Sequence, residues 1–164
     1  MAAALPDRTA KLLWGMTAAC VAALVLALVA QYVGHMEPCP WCVLQRLIYV
    51  VIAVVCAVAA LVRTRAVRMP LAGLALLLAL AGVAAALYQH NVAAASFSCN
   101  LTFADKVVSG LGLDSAMPSV FSATASCAEA SVSVLGVPFA YWSLVMYVLL
   151  AAVAAAVVGR SRRA

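Results

Sequence analysis

The sequence predicts an all-α membrane protein, a bundle of four transmembrane helices, and three observations carry that prediction. Of the 164 residues, 68% are hydrophobic and only 9% are charged, against roughly 45–50% and about 25% in soluble domains. Four apolar runs, at about 12–33, 43–62, 71–88 and 139–158, reach the ~20 residues that a helix needs to cross the hydrocarbon core. The basic residues gather on one side of the resulting scheme. So little polar material cannot cover a water-soluble globule, and a single membrane domain over residues 1–164 is expected. In lipid the backbone groups of such runs are satisfied within helices, because barrel strands are shorter and alternate polar with apolar.

The first run follows Arg8 and Lys11, as in a signal peptide. It is long for an h-region, and Leu28-Val29-Ala30 is a poor cleavage site, so it is expected to be retained as a helix. A short loop at about 34–42 then holds Glu37-Pro38-Cys39-Pro40-Trp41-Cys42. The second run leads to a basic turn at 63–69. Pro70 suits the first position of the third helix, where its missing N–H is no loss. Gly73, Gly82 and Ala86 permit close helix approach there, as do the many alanines of the fourth run. Between the third and fourth runs lies a second loop, at about 89–138, and a loop of that length is usually functional or mobile. Within it Phe103, Val107, Val108 and Leu111 fall at helical spacing. They predict either a short interfacial helix lying on the membrane surface or a small core around a disulfide.

Orientation follows from the charges. Arg8, Lys11, Arg63, Arg65, Arg68, Arg160, Arg162 and Arg163, eight of the ten bases, share one side, while Lys106 lies opposite and Arg46 just inside the second helix. Basic residues beside helix ends stay cytoplasmic, so both termini and the 63–69 turn are expected inside. The positive charge is then a topological signal and not a nucleic-acid surface. Glu37, Asp105, Asp114 and Glu129 fall outside. Tyr32, Trp41, Tyr88, Tyr141 and Trp142 lie near outer helix ends, where amphipathic rings favour the headgroup layer.

Six cysteines are present. Cys20 and Cys56 sit mid-span, where a thiol behaves as a small hydrophobe. Cys39, Cys42, Cys99 and Cys127 all lie in the outer loops, an oxidising location in a bacterial envelope. Cys-x-x-Cys commonly supports a reversible disulfide, and a helix N-terminus or nearby cation favours its thiolate. Cys42 is expected to begin the second helix, facing the positive end of its dipole. Structural zinc needs four convergent ligands, and the wide, uneven spacing argues for redox-active pairs instead. No metal is expected. Four loop cysteines allow three connectivities.

Arg46 lies at i+4 from Cys42, on the same helix face one turn deeper. A charge within a span is costly and marks function by default. Here it can stabilise a thiolate on Cys42 and the negative charge developing on a reduced acceptor. His90, at the outer end of the third run, is placed to donate a hydrogen bond or proton to a carbonyl. His35 is assigned no role.

Cys39-Pro40-Trp41-Cys42 followed by Val43-Leu44-Gln45-Arg46, Tyr88-Gln89-His90, a lone Cys99, and Pro118-Ser119-Val120-Phe121 leading to Cys127-Ala128-Glu129 resemble the bacterial disulfide-bond-formation protein B (DsbB) family. Leu135-Gly136 and Trp142-Ser143-Leu144 fit as well, so the resemblance runs from the first helix to the last. It implies a four-helix inner-membrane disulfide oxidase that reoxidises a periplasmic thioredoxin-fold DsbA-type partner and passes electrons to a membrane quinone, ubiquinone or menaquinone. It also implies that Cys99 takes the partner's cysteine, Cys127 exchanges with Cys39, and Cys42 meets the quinone with Arg46 and His90 beside the ring. A monomer that binds no nucleic acid is expected. Two features depart from the family pattern: Pro138 lies nearer Leu135-Gly136 than usual, and Gln45 stands where an acidic residue often precedes the arginine. The competing readings are a vitamin K epoxide reductase-like protein, which usually carries Cys-x-x-Cys on its last helix, and a non-enzymatic scaffold clipped by disulfides.

Overall fold

The computed structural model describes residues 8–62, 64–93, 102–130, 133–134 and 136–163. Cys99, Arg63 and Leu135 lie outside them. Four long helices dominate: α1 (Arg8–Tyr32), α2 (Pro40–Leu61), α3 (Arg65–Asn91) and α7 (Phe139–Arg163). All four are long and apolar enough to cross a membrane. They close into a ring in which α1 packs on α2 and α7, and α3 packs on α2 and α7. Between α3 and α7 come three short helices, α4 (Phe103–Gly110), α5 (Leu113–Ala116) and α6 (Pro118–Phe121), and a two-stranded ribbon. Its strands β1 (Ser133–Val134) and β2 (Val137–Pro138) pair antiparallel, Ser133 with Pro138 and Val134 with Val137. Gly136 makes the turn at φ 78°, a left-handed conformation that glycine adopts without a Cβ penalty.

The helices are longer than the apolar runs that announced them, because interfacial residues continue a helix once lipid has imposed it. Two boundaries correct the sequence reading. Pro70 lies inside α3, which begins at Arg65. The proline therefore removes the hydrogen bond to the Ala66 carbonyl near the polar end of the helix. Helix α2 begins at Pro40, so Cys39 and not Cys42 is the residue at its start. A proline fits the first helical position because its φ is preset and its N–H is not needed.

Arg68, counted among the turn bases, is buried in α3. Its Nε and Nη2 donate to the Val62 carbonyl at 3.1 and 2.8 Å, and Nε also donates to Ala59 at 3.2 Å. It thus satisfies carbonyls that the end of α2 leaves without partners.

The membrane core is a layer of small residues around two tyrosines. Tyr147 of α7 is fully buried and stacks on Tyr49 of α2, ring centroids 4.4 Å apart and nearly parallel. It fits only because residue 82 on α3 is glycine: a Cβ there would overlap the Tyr147 ring. Gly73 has open space instead, so of the two glycines only Gly82 mediates close approach. Gly82→Val is expected to lower stability by about 1–3 kcal/mol, the usual cost of overpacking, read as a fall in Tm in detergent. An unchanged Tm would show that the ring can move aside. Cys20 and Cys56 pack within this core, among Leu13, Met16 and Ile52.

Helix α4 satisfies parts of both expectations for the long loop. Thr102 and Asp105 cap it reciprocally, which stabilises a short helix end. Val108 turns inward and packs with Val43 and Phe121, so this face belongs to a small outer core. Phe103 and Leu111 remain exposed, as an interfacial face requires.

Candidate functional site

The Cys-Pro-Trp-Cys segment straddles the start of α2. Cys39 is the N-cap, and its sulfur accepts the backbone N–H of Cys42 at 3.3 Å. The two cysteines are free, with sulfurs 2.7 Å apart. Cys39 is fully buried, Cys42 only partly. The sulfur at the positive end of the helix dipole is thus first that of Cys39, with Cys42 one turn inside.

Cys127 is brought to the same place. The backbone N–H groups of Thr124 and Ala125 donate to the Pro38 carbonyl at 3.0 and 3.3 Å, clamping the second loop onto the first. Ser126 and Glu129 then close a turn around Cys127: the Ser126 N–H and hydroxyl donate to the Glu129 carboxylate at 2.9 and 2.7 Å, and the Glu129 N–H donates back at 3.3 Å. These bonds hold the exposed Glu129 carboxyl below the usual carboxylate range. Cys127, Cys39 and Ala93 form one buried cluster with Trp41 and Cys42 against it. The sequence anticipated a mobile loop carrying Cys127 inward. In the structure Cys127 is already docked.

Cys39 hydrogen-bonds to both other sulfurs, and these bonds, followed by burial, push its thiol well up. The same Cys39 bond holds the Cys127 thiol below its ordinary value, opposed by partial burial. In the reduced protein Cys39 is therefore the donor toward Cys127. In the reduced protein, alkylation of Cys127 should persist as pH falls below the free thiol value of about 8.5. Cys39→Ala removes the donor and should move that profile upward. Identical profiles in the two proteins would sink the assignment.

Beyond Cys42 lies a cavity of about 490 Å³. Its walls are mainly apolar, from Leu26, Val29 and Ala30 of α1 and Phe139, Trp142 and Met146 of α7, and its polar groups include Cys42, Gln45, Arg46 and Gln89. Among the described residues, Cys42 is the cysteine that lines it. Arg46 is buried, as its position within a span predicts. Its Nη1 donates to Gln31 Oε1 at 2.6 Å and to the Val120 carbonyl at 3.0 Å, and its Nη2 to the Ala27 carbonyl at 3.4 Å. All three partners are neutral, so its charge is oriented but not cancelled by them.

His90 lies elsewhere. Its ring packs on Tyr141, centroids 4.6 Å apart, and it does not line the cavity. The preceding residue, Gln89, faces the sulfurs: its Nε2 donates to Cys42 Sγ at 3.1 Å and to Cys39 Sγ at 3.4 Å, and its Oε1 accepts from Gln45 Nε2 at 2.6 Å. Gln31, Gln45 and Gln89 are polar neighbours of the site to which the sequence reading gave no role, although it noted Gln45 as a departure from the family pattern and Gln89 beside His90. The signal was present, since each is a polar residue in or beside an apolar run, where burial without a partner costs free energy. Among the described residues no buried side-chain polar atom lacks a partner, and no cluster fit to hold a metal occurs.

Comparison with known proteins agrees with this geometry. The family model of disulfide bond formation protein DsbB matches residues 8–157. The chain is 31% identical over 163 residues to a disulfide bond formation protein B of Polaromonas sp. (strain JS666), covering 98% of this chain and 95% of that one. It is 35% identical over 139 residues to the protein of that name from Ralstonia nicotianae, covering 84% and 86%. For the one from Burkholderia pseudomallei the identity is 32% over 145 residues, covering 88% and 86%. No solved structure matches the chain. With four membrane-length helices and a matching family model across nearly all of its length, the chain belongs to the DsbB family, the membrane proteins of disulfide bond formation.

Proposed function

We propose that this protein is a disulfide:quinone oxidoreductase that reoxidises a DsbA-type dithiol oxidase. The observation that carries the reading is the order of the sulfurs: Cys127 touches Cys39, Cys39 touches Cys42, and Cys42 lines an apolar cavity beside a buried arginine. A static clip needs neither a shared central sulfur nor the cation. The basic residues support an inner-membrane chain with both termini cytoplasmic and the cysteine loops in the periplasm. The expected working form is a monomer.

Exchange runs by thiolate attack on a disulfide sulfur. A partner thiolate attacks Cys99 of a Cys99–Cys127 disulfide and releases Cys127 as thiolate. The partner's second thiol then displaces Cys99, and the partner leaves as a disulfide, having lost two electrons and two protons. Cys127 attacks Cys39 of the Cys39–Cys42 disulfide and releases the Cys42 thiolate. Cys99 displaces Cys39 to restore Cys99–Cys127, leaving Cys39 and Cys42 reduced. A quinone supplies the final oxidising power, taking two electrons and two protons to become quinol as Cys39 and Cys42 rejoin. Arg46 holds positive charge where the acceptor gains negative charge, and the α1 and α7 side chains exclude water.

The cavity's size and lining fit a quinone ring, since small-molecule pockets of ~300–1,000 Å³ are mostly apolar with a few placed polar groups. In this reading Gln89, and not His90, stands against the reacting sulfur, while the His90 ring packs on Tyr141 at the start of α7. The test follows quinone absorbance as reduced DsbA-type protein is added to the purified chain. Catalytic loss of quinone with oxidation of many partner equivalents is expected. Oxidation of no more than the two equivalents that the chain's own two disulfides supply, with quinone untouched, would overturn the reading.

A further inference from the structure

Two buried glutamines, one on α2 and one on α3, join each other and the sulfurs by hydrogen bonds. Tyr147 on α7 donates its hydroxyl proton to the backbone carbonyl of Gln45 at 2.8 Å, holding this turn of α2 against α7. The Gln45 amide donates to Gln89 Oε1 at 2.6 Å, and Gln89 Nε2 donates onward to Cys42 and Cys39. Both glutamines are buried, 3% and 7% exposed. If the Gln89 amide were turned over, its oxygen would face two sulfurs and its NH2 would meet the NH2 of Gln45. A side-chain amide has one acceptor end and one donor end. Gln45 occupies the acceptor end, so only the donor end reaches the sulfurs.

We propose that Gln89 is a catalytic hydrogen-bond donor that directs negative charge to Cys42, and that Gln45 is the positioning residue that keeps its donor end toward the sulfur. Two neutral amides supply donor groups here without adding charge beside the sulfur. A carboxylate at either place would put negative charge beside the thiolate that must form, and burial would magnify the conflict. Gln45, which replaces the acid often found before the arginine, thus acquires a role of its own. The proposal deepens the reading of Cys42 as the sulfur that delivers electrons and rests on it.

The ionisable groups around Cys42 are Cys39 at the start of its helix, Cys127 from the docked loop, Arg46 one turn deeper, and Glu37 and Tyr49 on the same cavity. Helix α3 presents the uncharged Gln89, and α7 presents Trp142, Ser143 and Met146 to that cavity. The test is the pH profile of Cys42 alkylation in the reduced full-length protein, resolved from the other cysteines by mass spectrometry. Gln89→Glu, the same shape with an acceptor in place of the donor, should raise the midpoint by about one pH unit or more. Gln45→Glu should raise it too, although residue 45 donates to no sulfur, because Gln89 would turn its NH2 to the new carboxylate and its oxygen to Cys42. Gln89→Met, uncharged and of similar length, should shift it in the same direction by less.

A merely structural role for these residues would move Tm and leave the midpoint in place. Midpoints within about 0.3 unit of the parent in both Gln89 variants would overturn the proposal, and a shift in those variants but not in Gln45→Glu would overturn the role of Gln45. If one variant fails to fold, the other two still decide. No quinone or partner enters this assay. A shifted profile in a protein that reduces no quinone would therefore refute the proposed function and leave the hydrogen-bond chain standing.

Discussion

Replacing Cys42 with serine is expected to lower quinone reduction by at least ~10³-fold, the scale on which loss of a catalytic nucleophile is felt. The change is one atom. A serine hydroxyl keeps the shape and can still accept from Gln89 Nε2, but it neither ionises near neutral pH nor forms a disulfide with Cys39. The first exchange should survive, because Cys99 and Cys127 are untouched. One equivalent of reduced partner should still be oxidised per chain, after which turnover stops. Steady quinone reduction by the Cys42→Ser protein would place electron delivery on another sulfur. Cys39→Ser should be equally inactive, because Cys42 then has no partner with which to re-form the disulfide.

The second large effect is at Arg46. Its guanidinium joins Gln31 of α1, the Val120 carbonyl of α6 and the Ala27 carbonyl, so charge and tie can be tested separately. In the proposed mechanism its charge favours the reduced acceptor. As a buried donor it ties α1 and the outer loop to α2. Arg46→Met fills much of the volume and removes both. A hydrogen bond to a charged group contributes about 1.5–3 kcal/mol, so the quinone KM is expected to rise by roughly 10–150-fold. Arg46→Lys keeps the charge but not the planar fork and should recover part of the KM while leaving the loop looser. The loop effect is read separately, as faster proteolysis between α4 and α7. An Arg46→Met protein with unchanged KM and rate would leave Arg46 a purely structural tie.

The outer core explains why the two effects are linked in space. Val43 of α2 packs with Val108 and Phe121, Tyr32 donates its hydroxyl to the Ser119 carbonyl at 2.7 Å, and Trp41 stacks against Tyr88 at 4.6 Å. The first contact ties the second loop to the outer end of α2, the second ties it to α1, and the third joins α2 to α3. His35, given no role from sequence, adopts a left-handed backbone at φ 52°, one of the few non-glycine residue types enriched there, and turns the chain toward Cys39.

What the sequence determined by itself was whatever depends on composition and on spacing along one helix. Four spans follow from the cost of bare backbone in lipid, and Arg46 falls one turn below Cys42 because helical geometry makes i and i+4 neighbours. What it left open were choices made between segments distant in the chain. Helix α3 can present Gln89 or His90 to the sulfurs, since adjacent residues differ by about 100° around the axis. The packing of Tyr147 into the gap at Gly82 accompanies the observed setting, in which Gln89 faces inward. The docking of Cys127 was equally hidden, because it rests on backbone bonds from Thr124 and Ala125 to Pro38, and backbone bonds leave little trace in residue identity. Lipid selects the helices from local chemistry; the rotation of each helix and the seat of each loop emerge only when all the surfaces must fit at once.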